Sequence, residues 1–329
     1  MGIVRNRVFA NTYGAGVELD AYNAAFRIPE VALDVLVAAG LAAPFVPIYS
    51  RLRHDDASDR SANEFGQTIL TGAVALMTVA SIAIFLAAPL LPDLVVKGFD
   101  PATRDLYVQL LRINCVAQIM FAASFALGEI LVADRKFAFY AVAPILYSGG
   151  IILGTVLFGA TYGIAATAWG AVVGAGAHLA IRAIGTMRTS FRIRPRLAIH
   201  TAAFAEFIRL MVPRMFSVAI EPLTLIYFTG VAAGLGAGAV SSLNFGLDYQ
   251  VLPVSLIGVA FSLAVFPVLS AAFADDDRPT FRAILDRNVV TIAVFTTLAT
   301  VISPTAPVRI VCPNSFADRS LPSSCRSRL

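Results

Sequence analysis

Long apolar runs, separated by short polar stretches, occupy almost the whole chain. A run of about 20 mostly apolar residues can cross a bilayer core of roughly 30 Å as a helix, with every backbone hydrogen bond made inside the segment. The pattern predicts a partial span followed by longer ones, at residues 1–15, 20–48, 62–91, 105–132, 137–159, 162–184, 203–233, 240–270 and 283–304. We therefore predict an all-α fold, a polytopic transmembrane helical bundle.

The basic residues between the spans fall mainly on one side of the predicted membrane. If each break reverses the chain, successive loops alternate sides, and Lys and Arg can be counted for each side. One side has only Lys97 and Arg104. The other side has Arg51, Arg53, Arg60, Arg135, Lys136, Arg188, Arg192, Arg194, Arg196, Arg278, Arg282 and Arg287. The positive-inside rule places this second side in the cytoplasm, together with the amino terminus.

Composition agrees with a membrane protein. The chain is 58% hydrophobic and 14% charged, whereas soluble domains carry about 25% charged residues. A net charge of +4 could suggest nucleic acid as a partner, but topology accounts for the basic loops and no recognition module accompanies them. We predict no nucleic-acid binding. Cys115, Cys312 and Cys325 lack paired or metal-like spacing.

Charged side chains also lie inside the predicted spans. A charge at mid-membrane costs roughly 2.5–3.5 kcal/mol even on the lenient insertion scale, so these groups must face one another or water. Arg27, Glu30 and Asp34 follow i, i+3, i+7 spacing, which places them on one helix face. The other intramembrane charges are Arg112, Arg214, Glu221 and Asp248. Two interpretations remain open: ion pairs that hold the bundle together, and a hydrated central cavity for a polar or charged substrate.

Proline and glycine positions bear on the same choice. Proline removes a backbone donor and can kink a helix, and kinked helices line the sites of transporters. The prolines within or at the ends of the predicted spans are Pro29, Pro44, Pro47, Pro144, Pro213, Pro222, Pro253 and Pro267. Small residues form a stripe typical of helix packing, at Ala166, Gly170, Gly174 and Gly176. Gly234, Gly236 and Gly238 predict a flexible turn between two spans.

Catalytic groupings are scarce in the sequence. His54, His178 and His200 are scattered outside metal-ligand or nucleophile spacing, and no phosphate-binding loop is visible. We predict no enzyme activity, no catalytic residue, no metal and no cofactor. Transport against a gradient would then draw on the membrane potential, an ion gradient or a downstream sink.

Specific motifs resemble the MviN/MurJ family of lipid II flippases. That family typically reads GfxRD, FGAG, DAFxxAFRIPN and AFVP, and this chain reads GIVRNRVFANTYGAGVELDAYNAAFRIPEV and then AAPFVPIYS. Further similar segments are LLRINCVAQIMFAASFALGEILVADRKFAFYAVAPIL, GIAATAWGAVVGAGAHL and SLNFGLDYQVLPVSLIGVAFSLAVFPVLS. The resemblance covers residues 2 to about 305. The MviN/MurJ family belongs to the wider superfamily of multidrug, oligosaccharidyl-lipid and polysaccharide exporters.

The resemblance implies a two-lobed flippase-like fold with an inward-opening central cavity. The lobes expected from it are residues 1–200, an amino-terminal transmembrane lobe, and residues 201–305, an incomplete second lobe. Residues 306–329 form an irregular tail that is either a disordered cytoplasmic segment or the product of a frameshift. The implied location is a bacterial inner (plasma) membrane, multi-pass, with membrane lipids and cell-wall synthesis machinery as partners.

Residues carried over from the family motifs give the first site candidates. Arg5 matches the arginine of GfxRD, Asp20 the acidic residue that opens the next helix, and Arg27 the basic residue of RIPN. The resemblance implies that arginines hold the pyrophosphate of the lipid-linked substrate, since guanidinium matches phosphate oxygens. The charges Glu30, Asp34 and Asp248 complete the predicted substrate-binding set.

The chain departs from the family pattern at several of these positions. Asn6 replaces the usual acidic partner of the first arginine, Leu33 and Asp34 stand where two arginines are usual, and Gly246, Leu247 and Asp248 replace ADR. The first functional hypothesis is a transporter that flips a lipid-linked oligosaccharide, such as a lipid II-like peptidoglycan precursor, by alternating access. The second is a transport-inactive paralogue or truncated fragment that acts as a membrane partner. The third is a cation-coupled small-molecule antiporter.

Overall fold

The computed structural model describes residues 2–56, 59–254, 265, 268–269 and 277–302, and these residues contain helices but no strand. The helices are α1 (Gly2–Thr12), α2 (Val17–Leu33), α3 (Ala39–Asp55), α4 (Arg60–Ala87), α5 (Leu91–Val95), α6 (Pro101–Ala133), α7 (Phe137–Tyr162), α8 (Ile164–Thr186), α9 (Ala202–Ala233), α10 (Ala239–Pro253) and α11 (Arg278–Ile302). A π-helical segment, Asp34–Ala38, joins α2 to α3, and a 3-10 turn, Ala88–Leu90, joins α4 to α5. The all-α prediction is therefore confirmed for the described residues.

Most predicted spans correspond to single helices. Among the described residues, the helical stretches long and apolar enough to cross a membrane are Arg60–Val95, Pro101–Ala133, Phe137–Tyr162, Ile164–Thr186 and Ala202–Ala233. The predicted span at 20–48 corresponds to α2, the π-helical segment and α3 in succession. Part of the predicted span at 240–270, including Pro267, lies outside the described residues, as does the tail at 306–329.

The chain divides into two compact units, Met1–Val240 and Ser241–Leu329. The first unit contains the helices α1 to α9, and its interior is formed mainly by α6 with α2, α4 and α8 around it, while α7 packs on α8. α6 has the residues to fill such a place, because Tyr107, Leu110, Leu111, Ile130 and Leu131 are all fully buried. The lobe boundaries at residues 200 and 305 remain predictions.

α9 runs antiparallel to the helical stretch that contains α2 and α3. At one end, the Arg51 guanidinium bonds both carboxylate oxygens of Glu206, at 2.5 and 3.2 Å. At the other end, the Asp20 carboxylate accepts the backbone N–H of Gly238 at 2.6 Å. We call these two interactions the end contacts. Residue numbers rise on one helix as they fall on the other, which fixes both direction and register.

The turn after α9 is confirmed and is closely packed. Gly236 and Gly238 have φ angles of +117° and +88°, in the left-handed region that favours glycine. A Cβ atom at Gly238 would lie 2.6 Å from the carbonyl oxygen of Ala15, and one at Gly98 would lie 2.2 Å from that of Ala233. Only glycine permits these backbone segments to approach so closely.

Arg53 ties together three segments near the ends of the helices. Its guanidinium bonds Asp59, before α4, at 3.3 Å and also bonds Asp134, in the turn between α6 and α7. The Asp134 side chain is 6% exposed. Burial raises the pKa of the Asp134 carboxyl, and the charge of Arg53 opposes that shift. Arg53 therefore compensates a carboxylate that would otherwise be buried at a cost.

Glycines bring α7 and α8 into backbone contact. A Cβ atom at Gly150 would lie 2.5 Å from the Gly174 Cα atom, and one at Gly154 would lie 2.8 Å from that of Gly170. This confirms the packing stripe for Gly170 and Gly174. Gly176 lies outside that contact, because the nearest atom to its Cβ position is the Met120 sulfur at 3.8 Å.

Replacing Gly170 by alanine should destabilise the bundle, because the new methyl group would collide with the backbone of α7. Overpacking of this kind costs about 1–3 kcal/mol, more than the roughly 0.5–1 kcal/mol that alanine gains in helix propensity. Thermal unfolding of the purified protein in detergent measures the effect. Gly176→Ala is the matched control on the same helix and should leave the midpoint unchanged or raise it. Equal midpoints for the two variants would contradict the packing argument.

Candidate functional site

A cavity of about 390 Å³ lies between α2 with its π-helical extension and α9. Its lining residues are Arg27, Glu30, Val31, Asp34, Arg214, Val218, Glu221, Pro222 and Leu225. Two guanidinium groups and three carboxylates therefore face a single space inside predicted membrane spans. The structure brings together five of the seven intramembrane charges that the sequence singled out, on the two helices that the end contacts join.

The local sequence of α2 explains why its charges reach the cavity. Arg27, Glu30 and Asp34 share one face, while Ala25, Phe26 and Leu33 on other faces are buried. Pro29 lies inside the helix, and a π-helical segment begins at Asp34. A π-helical turn widens the helix and recurs at functional sites.

α9 presents its charges to the cavity from the opposite side. Arg214 and Glu221 are seven residues apart, so they lie about two turns apart on one face. Pro213 and Pro222 lie next to them inside the helix, and proline removes a backbone donor at each position. Arg214 and Glu221 are the charged cavity residues that the predicted site set lacked, although the sequence marked both as intramembrane charges. Val218 and Leu225 carry no sequence signal that distinguishes them from other apolar residues of the span.

Much of this charge is accessible in the structure. Asp34, Arg214 and Glu221 are exposed side chains, and Arg27 and Glu30 are half-buried. Leaving exposed charges in hydrocarbon would cost several kcal/mol. The arrangement therefore favours a hydrated cavity over a dry set of interhelical ion pairs.

Arg5 is not among the residues that line the cavity. Its guanidinium is 5.9 Å from the centre of the Phe9 ring on α1. Arg5 and Glu30 both lie within electrostatic reach of the Tyr147 hydroxyl on α7. Substrate binding by Arg5 remains a prediction.

Asp20 occupies the end contact. It is 1% exposed, and its carboxylate accepts the Gly238 N–H. This geometry explains an acidic residue at the start of α2, where it orders the turn after α9. A direct contact of Asp20 with substrate remains a prediction.

The two other charges that the sequence marked inside predicted spans, Arg112 and Asp248, are not among the lining residues of this cavity. The guanidinium of Arg112, on α6, lies 5.0 Å from the centre of the Phe85 ring. A cation over an aromatic face is stabilised without a carboxylate. Asp248 belongs to the second compact unit, so its place in the substrate site remains a prediction.

Metal ligands are not grouped in this region. Among the described residues, no three His, Cys, Asp or Glu side chains are placed to hold a metal ion. His178 is buried on α8, and its Nδ1 atom lies 2.7 Å from the Ser124 hydroxyl on α6. This contact between α8 and α6 gives His178 a structural role in helix packing.

The chain matches the family model described as "Lipid II flippase MurJ" over residues 9–309. The protein named "Lipid II flippase MurJ" of Burkholderia cenocepacia is 27% identical over 295 residues, which cover 87% of this chain and 57% of that protein. The "Probable lipid II flippase MurJ" of Rhizobium meliloti is 28% identical over 286 residues, which cover 82% of this chain and 52% of that protein. The chain thus spans little more than half the length of these relatives.

Solved structures show the same fold. A structure titled "Lipid II flippase MurJ, inward closed conformation" superposes with a TM-score of 0.73 at 23% identity, covering 90% of this chain and 60% of that one. An inward-facing multidrug transporter of the MATE family superposes with a TM-score of 0.76 at 15% identity. The superposition covers 94% of this chain and 71% of that one. At these identities the likeness establishes the fold alone.

A cysteine placed in the cavity should react with a water-soluble maleimide, because the thiolate forms only where water reaches it. We expect rapid labelling of Val218→Cys in membranes, in a chain whose three native cysteines are changed to alanine. The control is Val156→Cys on α7, a position that is 61% exposed and predicted to face lipid. Labelling that is equally slow at both positions would show a dry cavity.

Proposed function

Since the chain belongs to the MurJ family of lipid II flippases, we propose that it moves a lipid-linked oligosaccharide, such as a lipid II-like peptidoglycan precursor, from the inner to the outer leaflet. The observation that supports this proposal best is the charged cavity between α2 and α9. A polar head group cannot cross hydrocarbon alone, and charged side chains can replace part of its hydration. The family is one of transporters and not of catalytic enzymes.

Arg27 and Arg214 supply the groups that suit a phosphate-linked head group. A guanidinium offers two parallel N–H donors to phosphate oxygens, and its charge does not depend on pH in the physiological range. Both line the cavity. We assign them the anionic part of the substrate and assign Arg5, Asp20 and Asp248 supporting roles around the path.

The break between α2 and α3 suits alternating access. A helix interrupted by a π-helical segment, with proline one turn before it, can bend there at less cost than a regular helix. The end contacts hold α9 against this helical stretch at two places and leave the cavity between them. Opening of one end contact at a time would expose the cavity to one side of the membrane.

Location and orientation follow from the loops. The protein would lie in a bacterial inner membrane. The excess of basic residues in the loops on one side supports an amino terminus on the cytoplasmic side. The partner we propose is cell-wall synthesis machinery, which would supply the lipid-linked substrate inside and consume it outside.

The carboxylates of the cavity favour one alternative function. Glu30, Asp34 and Glu221 could bind a coupling cation in a small-molecule antiporter, since carboxylates inside membranes often serve as proton or ion sites. Such a protein would need Asp34 for substrate uptake that depends on pH or sodium.

Expression of this chain should restore growth to cells depleted of their own lipid II flippase, and Arg27→Ala should abolish that rescue. The reason is the loss of a charge-assisted contact to phosphate, worth about 1.5–3 kcal/mol. Growth and accumulation of lipid-linked precursor are the measurements, at equal amounts of protein in the membrane. Arg188→Ala, an exposed loop variant outside the cavity, is the control and should rescue fully. Undiminished rescue by Arg27→Ala would refute the site assignment, and absence of rescue by the unchanged chain would refute the function.

A further inference from the structure

We propose that the cavity selects a head group that carries an ammonium group in addition to its phosphate, and that Asp34 and Glu221 bind this ammonium. The inference rests on the proposed function and narrows its substrate class to amine-bearing lipid-linked saccharides. Three observations support it: the register of the two helices, the order of charges along them, and the size of the cavity.

The end contacts set the register. Asp20 lies opposite Gly238, and Arg51 lies opposite Glu206. Between these points the two antiparallel stretches have nearly the same number of residues. Residue 34 is then level with about residue 223, within one helical turn of Glu221. Asp34 and Glu221 therefore lie at a similar position along the helix pair, on opposite sides of the cavity.

The two arginines lie on either side of these carboxylates. Arg27 precedes Asp34 by seven residues, which is about 10 Å along the helix, and it lies toward the Asp20–Gly238 contact. Arg214 precedes Glu221 by seven residues and, because the helices are antiparallel, lies toward the Arg51–Glu206 contact. The order along the cavity is therefore cation, carboxylates, cation.

This order determines which ligand groups fit. A phosphate in the centre would face two carboxylates, and repulsion between like charges is strong where little water is present. An ammonium in the centre would instead interact favourably with both Asp34 and Glu221. A phosphate fits beside Arg214, whereas beside Arg27 it would also meet the Glu30 carboxylate, which lies one turn along the same helix face. The ligand should thus carry an ammonium and a phosphate roughly 10 Å apart, a spacing derived from the helix rise.

The size of the cavity favours an organic ammonium over an inorganic cation. A space of about 390 Å³ is far larger than a bare ion requires, and the described residues contain no group of three ligands placed to hold a metal. The cavity also has apolar lining at Val31, Val218 and Leu225. Apolar side chains beside charges suit a ligand with a carbon framework.

Binding measurements with chemically matched lipids test this proposal. The purified chain in lipid nanodiscs is titrated, by competition against fluorescent lipid II, with lipid II whose stem peptide has a free lysine amine and with the same lipid after acetylation of that amine. We expect the free amine to bind on the order of tenfold more tightly, as one charge-assisted contact implies. Asp34→Asn and Glu221→Gln should each lower this affinity ratio, and the double variant should bring it close to one.

Asp105→Asn is the control. Asp105 is an exposed acidic residue near the start of α6, outside the cavity lining and outside the two end contacts. This variant should keep the preference for the free amine. A loss of preference in Asp105→Asn equal to that in Glu221→Gln would contradict a specific role for the cavity carboxylates.

The outcomes separate this proposal from the proposed function. If lipid II binds and Arg27→Ala weakens binding, yet acetylation does not change the affinity, the ammonium assignment is overturned and the proposed function stands. If sodium is required for binding and Asp34→Asn removes that requirement without changing the amine preference, the carboxylates hold an inorganic cation and the assignment is likewise overturned. If neither lipid binds, both proposals fail.

Discussion

The high free energy of a charge in hydrocarbon is the constraint on which this structure depends. Each intramembrane charge must reach water, an opposite charge or an aromatic face. Arg112 lies over the Phe85 ring, and the charges of α2 and α9 face a common cavity. The cavity is thus a consequence of electrostatics as much as of shape.

Two kinds of helix contact divide the first unit into parts with different freedom. α7 and α8 meet through glycines whose backbones touch, so a shift of one helix against the other would meet immediate steric resistance. α9 is held against the stretch from α2 to α3 by polar contacts at its two ends, with open space between them. The Arg51–Glu206 contact is exposed and can exchange with water, whereas the backbone contacts between α7 and α8 cannot. The charged cavity therefore lies beside the polar end contacts, away from the tightly packed pair of α7 and α8.

The chemistry of the cavity differs from what its family motifs alone imply. The resemblance implies arginines around the substrate, and Arg27 keeps that character, but the carboxylates of Asp34 and Glu221 face the same space. Family membership and fold are shown by the comparisons. Three carboxylates and two arginines line this cavity, and their balance determines which charged groups it can hold.

The sequence by itself determined the helices, most of their bounds and the common face of Arg27, Glu30 and Asp34, because hydropathy and helical periodicity are properties of neighbouring residues. It also marked Arg214 and Glu221 as charges inside a span. Only the tertiary structure decided that these two face the α2 charges, that Arg112 turns to Phe85, and that Asp20 bonds a turn far along the chain. Those outcomes depend on the rotation of each helix about its axis and on the register between helices. Both are set by packing between segments distant in sequence, which no local pattern encodes.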